Sequence, residues 1–449
     1  MTFNRELAEA LKFDDRDVAP FFAGRHAEIE SFQNALAAAR EKPQAVFRIY
    51  QGAPGCGKTS LANHFATELA KDTAENAIFV RFSESDDFSK EGLAVAIRDA
   101  LVTANKPAEI AKEVTEFALS LMGRSRVADM LKKERVRRMP RSIEIVIHID
   151  EAHSMGDQFN DFIKVLHAHG VGCPCVAVFT GLGQTAGRIR EIKGMSRLSE
   201  EAVVNMGAME REECIESTLN MLGRVGAAGD HEDAASRIAT LAFGWPRHLN
   251  RAQKALRDEL LRDSVDGDLS QADFARITQQ SEQSRTNYYL SRIEDSLLAQ
   301  DEEMTIRMIN ALREIGSVQK IRELGSVCKR VIERHGMSGD FPFDPQQGLP
   351  FAERLVESGV VVKTNSGFEI AIPSMADWAQ AQCCKYDLRE HVNSSISEGG
   401  AVFKQPVTLG AENDHLSVAA RQLGTVISPR FDAPHRLVRV ALDRTRVER

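Results

Sequence analysis

The sequence predicts an α/β fold: a parallel sheet covered by helices, then a helical lid, then a winged-helix-like domain. Five short runs of apolar and β-branched residues alternate with helical segments in residues 45–208. Residues 209–299 show helical patterns alone, and residues 300–388 combine helices with a hairpin-like segment. Because alternating strands and helices form βαβ units, the strands of the first part are expected to run parallel.

Length and composition indicate a globular protein of several domains. The 449 residues exceed what one compact core holds, and 43% hydrophobic and 27% charged residues are ordinary shares. The net charge of −8 argues against a surface that binds polyanions everywhere, but it allows a local basic patch. The start, MTFNRELAEALKFDDRD, lacks the apolar core of a signal peptide, and no apolar run approaches the roughly 18–20 residues that cross a bilayer. We therefore expect a cytoplasmic protein without a membrane segment.

The chain divides into five predicted regions. They are a helical N-terminal lead-in (1–44), the sheet-containing core (45–208), a helical lid with a linker helix (209–299), the winged-helix-like domain (300–388) and a partly ordered tail (389–449). The predicted strands are residues 45–51, 76–82, 143–150, 175–181 and 202–207. A hairpin is predicted in VVVKTNSGFEIAIP, with its turn at residues 365–367.

The strongest motif is GAPGCGKT at residues 52–59, which fits G-x-x-x-x-G-K-[ST] at every fixed position. An apolar run precedes it and a helical pattern follows, so backbone N–H groups of the loop can turn towards phosphates at a helix N-terminus. The motif predicts a P-loop NTPase that binds ATP. Its predicted nucleotide-binding residues are Gly52, Ala53, Pro54, Gly55, Cys56, Gly57, Lys58, Thr59 and Ser60. Lys58 is expected to reach the β- and γ-phosphates, and the Thr59 hydroxyl to hold Mg²⁺.

A P-loop needs an acidic partner at the end of a neighbouring strand, and IVIHIDEAH supplies one. Asp150 closes an apolar run and is expected to bind Mg²⁺, while Glu151 is expected to polarise the attacking water. Simple solvation of the sheet edge is the alternative for this acidic pair. Asp150 to His153 also spell the motif of DEAH-type helicases, but nothing after Gln300 resembles the second motor domain that those enzymes need.

Thr180 ends the next apolar run, CVAVFT, which is the natural neighbour of the strand that leads to Asp150. A hydroxyl at this place could orient the water or sense the γ-phosphate. A β-branched residue that merely finishes a strand is the alternative.

The order of the motifs resembles that of AAA+ ATPases. GAPGCGKT, IVIHIDEAH, VFTGLG, SRLS and FGWPRHLNRA follow the order of Walker A, Walker B, sensor 1, arginine finger and sensor 2. The upstream FFAGRHAEIE resembles the box that precedes the first strand in the initiator-like and STAND-like branches, which include origin-recognition-type and TniB/ExeA-type ATPases. The resemblance covers residues 21–261 and is more specific for the class than for any branch.

This resemblance implies roles for four further residues. Arg247 would approach the γ-phosphate from the lid, and Gly24 and Arg25 would lie near the adenine. Arg197 would be the arginine finger supplied to a neighbouring subunit, with Arg188 and Arg190 as competitors that no motif excludes. The resemblance therefore implies ATP hydrolysis with Mg²⁺ in a homo-oligomer that assembles with nucleotide.

Two features bear on a macromolecular partner. KKERVRRMPR, Lys132 to Arg141, is strongly basic and could contact DNA phosphates or form a solvated helix end. The winged-helix-like domain could insert a helix into the major groove, or it could dock a protein. Two hypotheses lead: a switch ATPase that engages DNA through residues 300–388, and a STAND-like signalling or defence ATPase whose C-terminal half binds a protein. A nucleotide-binding scaffold with negligible turnover is the third, which the presence of Glu151 disfavours.

Overall fold

The structure is a computed structural model. It describes residues 2–13, 21–41, 45–71, 77–82, 144–154, 157–169, 174–192, 194–195, 198–296, 302–335, 348–364 and 366–397. Three predicted features lie outside these residues: Arg197, the basic run from Lys132 to Arg141, and residues 398–449 of the tail.

A five-stranded parallel sheet forms the centre of the first part. Its strands are β1 (Val46–Gly52), β2 (Ala77–Phe82), β3 (Glu144–Ile149), β4 (Cys175–Gly181) and β5 (Val203–Met206), in the order β2-β3-β4-β1-β5. All five predicted runs are strands, with bounds that shift by one residue at most. Because β4 lies between β1 and β3, the segments that follow these three strands meet at one edge of the sheet.

Helices cover both faces of this sheet, as its apolar strands require. Helices α2 (His26–Glu41) and α3 (Lys58–Lys71) bury Phe32 and Phe65 against one face, and these two rings stack at 4.0 Å. Helices α4 (Asp157–His169) and α5 (Thr185–Glu191) bury Phe162 and Ile189 against the other face. The predicted α/β fold of a P-loop NTPase is therefore confirmed.

The lid, residues 211–296, consists of four helices. They are α6 (Arg211–Val225), α7 (His231–Ala242), α8 (Pro246–Leu260) and α9 (Phe274–Ser296). Helix α6 ends at Gly226 in the left-handed conformation that terminates many helices, and α8 begins with Pro246 at its first turn, where no N–H is needed.

The predicted lead-in, residues 1–44, does not form one layer. Helix α1 (Arg5–Ala10) buries Ala8 in the apolar core of the lid, and the Asn4 N–H donates to the Val225 carbonyl at 2.8 Å. Helix α2, in contrast, packs on the sheet. The two helices of this segment therefore belong to different parts of the molecule.

The C-terminal module, residues 302–397, contains the predicted helices and hairpin. Its elements are α10 (Glu302–Ile315), α11 (Ile321–Arg334), α12 (Leu349–Glu357), β6 (Val361–Thr364), β7 (Gly367–Ile370) and α13 (Pro373–Ser397). The two strands pair antiparallel, and Val318 bridges Phe368 beside them. Helix order and hairpin are those of the winged-helix prediction, although the designation itself stays an interpretation. Helix α13 continues past the predicted boundary at residue 388 because no Pro or Gly interrupts it before Ser397.

None of the helices within the described ranges is both long enough and apolar enough to cross a membrane.

Candidate functional site

The loop between β1 and α3 has the shape that its glycines predict. Gly55 and Gly57 adopt φ angles of +77° and +93°, which residues with a Cβ rarely take. Helix α3 carries no acidic residue in its first turn, so its positive N-terminal end is left for an anion. The buried Lys58 ammonium donates to the carbonyls of Gly52 and Ala53, both at 2.9 Å, and so lies inside the loop.

Thr59 and Asp150 meet although 91 residues separate them. The Thr59 hydroxyl donates to Asp150 Oδ2 at 3.2 Å, and the Asp150 N–H donates to the Phe82 carbonyl at 2.9 Å, which ties the end of β3 to β2. Burial alone would raise the pKa of the Asp150 carboxyl. Its interaction with His148 and its three hydrogen bonds outweigh burial and lower the pKa, so Asp150 is an ionised carboxylate.

Behind Asp150 lies a buried hydrogen-bonded pair, Thr180 and His148. The Thr180 hydroxyl donates to Asp150 Oδ1 at 2.6 Å and lies 2.9 Å from His148 Nε2, so the histidine is the donor in the second bond and its Nε2 carries the proton. Burial lowers the pKa of His148 to about 4, which keeps the ring neutral. Thr180 is 1% exposed, so in this arrangement it acts on the site through Asp150. Its predicted role towards water or the γ-phosphate stays a prediction.

Glu151 lies at the same edge but is turned differently. Its backbone has φ +50°, an uncommon value for a residue with a Cβ, and its N–H donates to Asp150 Oδ1 at 3.0 Å. Its half-exposed carboxylate pairs with His153 Nδ1 at 3.2 Å.

The lid contacts the P-loop directly through Arg247 and Tyr288. The backbone N–H of Arg247 donates to the Gly55 carbonyl at 3.2 Å, and the Arg247 guanidinium lies 4.4 Å from the centre of the Tyr288 ring. The Tyr288 hydroxyl donates to the Pro54 carbonyl at 2.9 Å. The backbone of Arg247 therefore lies beside the loop, and the approach of its side chain to the γ-phosphate stays a prediction. Sequence reasoning missed Tyr288, since it lies 234 residues after Pro54 and in no motif.

Arg25 contacts the P-loop, and Gly24 lies against Glu213 of the lid. A Cβ on Gly24 would lie 2.5 Å from Glu213 Cδ, and the Glu213 carboxylate accepts the Arg25 N–H at 2.7 Å. The buried Arg25 guanidinium donates to the carbonyls of Cys56 and Gly207 at 2.9 and 2.7 Å. These bonds join the loop to the end of β5, and the predicted proximity to adenine stays a prediction.

The arginine finger is not assigned. Arg197 lies outside the described residues. Arg188 on α5 donates to the His153 carbonyl of its own chain, and the half-buried Arg190 lies on the same helix.

The C-terminal module packs on the P-loop and on the loop that follows β4. A Cβ on Gly359 would lie 2.8 Å from Pro54 Cδ and 3.4 Å from Leu182 Cδ2. A Cβ on Gly183 would lie 3.2 Å from Val362 Cβ. The surface of the loop beside Pro54 is therefore covered by residues of the same chain.

The residues that are present fit ATP and Mg²⁺. Backbone N–H groups at a helix N-terminus and a lysine suit phosphates, and an ionised carboxylate beside a hydroxyl gives Mg²⁺ the oxygen ligands that it prefers. The predicted metal ligands, Thr59 and Asp150, are thus brought together, and the predicted phosphate ligands line one loop.

Comparison with known proteins identifies the class. Residues 46–185 match the model of the AAA domain family, so this part of the chain is an AAA domain. The prediction of an AAA+ P-loop ATPase fold is therefore confirmed for the segment that holds Lys58, Asp150 and Thr180. No curated protein sequence matches the chain.

Several solved structures align with most of the chain. The Walker-type ATPase PABY2304 of Pyrococcus abyssi is 14% identical with a TM-score of 0.47, over 80% of this chain and 95% of that one. Cdc6p from Pyrobaculum aerophilum is 15% identical with a TM-score of 0.40, over 82% and 95%. Drosophila ORC bound to DNA is 14% identical with a TM-score of 0.40, over 84% and 90%.

Proposed function

We propose that the protein is a Mg²⁺-dependent AAA+ switch ATPase of the initiator-like type, which binds and hydrolyses ATP. The observation that carries the proposal is the approach of Thr59 Oγ1 to Asp150 Oδ2, 3.2 Å, at the mouth of the P-loop. A hydroxyl and an ionised carboxylate from distant parts of the chain meet where a metal-bound triphosphate would lie.

Each residue has a role that its position supports. Lys58 would exchange its two carbonyl acceptors for phosphate oxygens, which is a short movement for a flexible ammonium. Thr59 and Asp150 would hold Mg²⁺, and Thr180 would fix the carboxylate of Asp150. Glu151 would take the proton of the attacking water after leaving His153. Arg247 would report the γ-phosphate to the lid.

The site of an AAA+ ATPase is completed by an arginine from a neighbouring subunit, so assembly with nucleotide is part of the proposal. Arg197 remains the candidate from the sequence resemblance. Light scattering with and without ATP and Mg²⁺ tests this step, since a site shared between subunits predicts a larger particle with nucleotide only.

Engagement of DNA through the C-terminal module is the second part of the proposal. Its support is the order of three helices and a hairpin, which matches the winged-helix prediction. The basic run from Lys132 to Arg141 is the second candidate for DNA contact.

One observation favours the STAND-like alternative. Gly359 and Val362 lie against Pro54 and Gly183, so the C-terminal module touches the loops that would surround ATP. Such a contact suits a latch that nucleotide opens or closes. Mobility-shift assays on duplex DNA across a salt series discriminate: tight, salt-sensitive, ATP-dependent binding favours the switch ATPase, and no binding at low salt favours the latch.

The ATPase proposal is tested with Lys58→Ala and Glu151→Gln. The first variant is expected to lose binding of a fluorescent ATP analogue. The second is expected to keep binding and to lose about 10² to 10⁴ in turnover, because general-base catalysis contributes that much. Glu200→Gln, at an exposed position of the same domain, is the matched control and should hydrolyse ATP at the wild-type rate. Wild-type turnover in Glu151→Gln would refute the assignment of the base.

A further inference from the structure

A basic cavity lies in the lid between α8 and α9. Its volume is about 220 Å³, and three arginines line it: Arg247 and Arg251 from α8, and Arg285 from α9. The other described lining residues are serines, a histidine, an asparagine and a tyrosine, and none of them is acidic. Three positive charges therefore converge on one concave surface that supplies no carboxylate.

Two of these arginines have no counter-ion among the described residues. Arg251 makes neither a hydrogen bond nor an ion pair with any of them. Arg285 donates to the Leu241 carbonyl at 3.1 Å and lies 4.6 Å from the ring centre of Phe243, but it contacts no carboxylate. Like charges that are brought together without a counter-ion repel, and a bound anion would relieve this repulsion.

A buried polar side chain also faces the cavity. His248 is 4% exposed, and within the described part of the chain neither of its ring nitrogens makes a hydrogen bond of ordinary geometry. Burial and then the charge of Arg285 lower the pKa of His248 to about 3; the Ala242 carbonyl opposes this change, and the charge of Arg247 adds a smaller lowering. The ring is therefore neutral, and its one N–H has only a contact with the Ala242 carbonyl that falls short of hydrogen-bond geometry, so a ligand oxygen would give it a better acceptor.

We propose that this cavity binds a phosphate group at a site separate from the P-loop. The planar guanidinium can donate two parallel hydrogen bonds to phosphate oxygens. A phosphate also carries enough negative charge to balance the charge of more than one arginine. Ser284 and Asn287 add uncharged donors at the rim. The volume is below the roughly 300 Å³ at which pockets for drug-sized molecules begin, so the space suits one phosphate or pyrophosphate.

Apart from Arg247, the cavity and the nucleotide site are formed by different residues. Arg251 and Arg285 belong to no motif of the P-loop, and Arg247 joins the two places, since its N–H binds Gly55 while its side chain lines the cavity. The phosphate could belong to a nucleic-acid backbone or to a small phosphorylated molecule. Both sources present the same chemistry to the arginines.

The test uses the full-length chain, with sodium pyrophosphate in one arm and a fluorescein-labelled DNA duplex in the other. Arg251→Ala and Arg285→Ala are compared with Arg224→Ala, which removes an exposed arginine of the lid that does not line the cavity. Calorimetry with all variants in the Lys58→Ala background, where the P-loop no longer competes for pyrophosphate, is expected to show a site that is at least about tenfold weaker in the two cavity variants and unchanged in Arg224→Ala. Lys58→Ala should keep this site while it loses ATP binding, which separates failure here from failure of the ATPase proposal.

The two sources give different results. If the phosphate belongs to nucleic acid, each cavity variant loses about one phosphate contact. The slope of log affinity for the duplex against log salt concentration then becomes shallower by about one. If it belongs to a small molecule, only the pyrophosphate arm responds. Both results support the site.

Folding of the variants is followed by thermal unfolding in anion-poor buffer. Arg251→Ala should keep the wild-type melting temperature or raise it, because it removes a repelling charge. Arg285→Ala should lower it slightly, because it also loses the bond to the Leu241 carbonyl and the contact with the Phe243 ring. Equal phosphate affinity in the cavity variants and in Arg224→Ala would overturn the proposal. The proposal would also be overturned if the cavity variants lost binding to polyglutamate while they kept binding to pyrophosphate and DNA. The site would then recognise carboxylates.

Discussion

At the residue scale, Asp150 is held by a line of hydrogen bonds that runs from the interior to the P-loop. His148 donates to Thr180, Thr180 donates to Oδ1 of Asp150, and Thr59 donates to Oδ2. Both carboxylate oxygens are therefore oriented before any ligand arrives. Such preorganisation reduces what a metal site must rearrange when it is filled.

The burial of His148 predicts a pH dependence of stability. Its pKa in the folded protein is about 4, below the roughly 6.5 of an unperturbed histidine, so between these values the unfolded chain binds a proton that the folded chain does not. The stability that the neutral, buried His148 contributes is complete above pH ~6.5 and is lost as pH falls towards 4. Between pH 7.5 and pH 5, His148→Gln should therefore lose less unfolding free energy than wild type, by on the order of 1–2 kcal/mol.

Urea unfolding at the two pH values measures this difference. The same substitution at the exposed His26 is the control and should follow the wild-type pH dependence. If His148→Gln also follows it, the histidine is not buried in its neutral form.

The sequence predicted the candidate ligands of phosphate and Mg²⁺, but not the side chains that hold them in place. Lys58 and Thr59 stand at the fixed spacing of one motif, and Asp150 is indicated by its place at the end of an apolar run. His148 sits inside an apolar strand and looks like an ordinary core position. The hydrogen bond from His148 to Thr180 can be foreseen only when β3 is known to pair with β4, and the fold alone provides that pairing.

At the element scale, helix α9 connects three parts of the molecule. Tyr288 bonds the P-loop at Pro54, while the next residue, Tyr289, donates to Ser374 Oγ of the C-terminal module at 2.7 Å. Neighbouring side chains of one helix thus contact the nucleotide loop and the C-terminal module. A helix with these two bonds can transmit a movement between the two regions.

Removing one hydroxyl tests the contact with the P-loop. Tyr288→Phe should lose about 1 kcal/mol of local stability, because the Pro54 carbonyl loses its donor, and amide hydrogen exchange of residues 52–60 should speed up about fivefold. Tyr289→Phe is the matched control, since it loses a hydroxyl one residue away that bonds elsewhere. Equal exchange rates of residues 52–60 in the two variants would show that the tyrosine does not hold the loop.

The elements themselves were largely predictable, because strands and amphipathic helices leave a periodic pattern of apolar residues. Their contacts were not. The sequence does not reveal that α1 packs on the lid while α2 packs on the sheet, since both segments are short, mixed in charge and helical. The partner of each helix depends on which apolar face finds a complementary one in the folded chain.

At the scale of the whole molecule, one apolar core joins the sheet to the C-terminal module. Leu61 and Phe65 of α3, Trp245 of the lid, and Leu312 and Val361 of the module belong to the same buried cluster. The module therefore packs against the core of the AAA domain. Release of the module, as a latch requires, would expose apolar surface and would need binding energy from nucleotide or a partner.

A pair of glycine substitutions tests this packing. Gly316 and Gly359 both have positive φ angles, +85° and +73°, so alanine strains either position by about 1 kcal/mol or more. Gly316 has no atom within 4 Å of an added Cβ, whereas Gly359 faces Pro54 at 2.8 Å. Gly359→Ala should destabilise the protein more than Gly316→Ala does, and it alone should speed up hydrogen exchange of the P-loop. If the two substitutions changed hydrogen exchange of the P-loop equally, the module would not be in contact with that loop at Gly359.

The central claim is that Thr59 and Asp150 together hold the metal of a bound ATP, and paramagnetic resonance of Mn²⁺ in place of Mg²⁺ tests it most directly. Wild type is expected to bind Mn²⁺ tightly only when ATP is present. Thr59→Ala and Asp150→Asn should each weaken this binding at least about tenfold, because each removes a metal ligand. Thr67→Ala, a change on the same helix whose hydroxyl bonds the Asn63 carbonyl, should leave it intact. Wild-type Mn²⁺ affinity in both Thr59→Ala and Asp150→Asn would contradict the account.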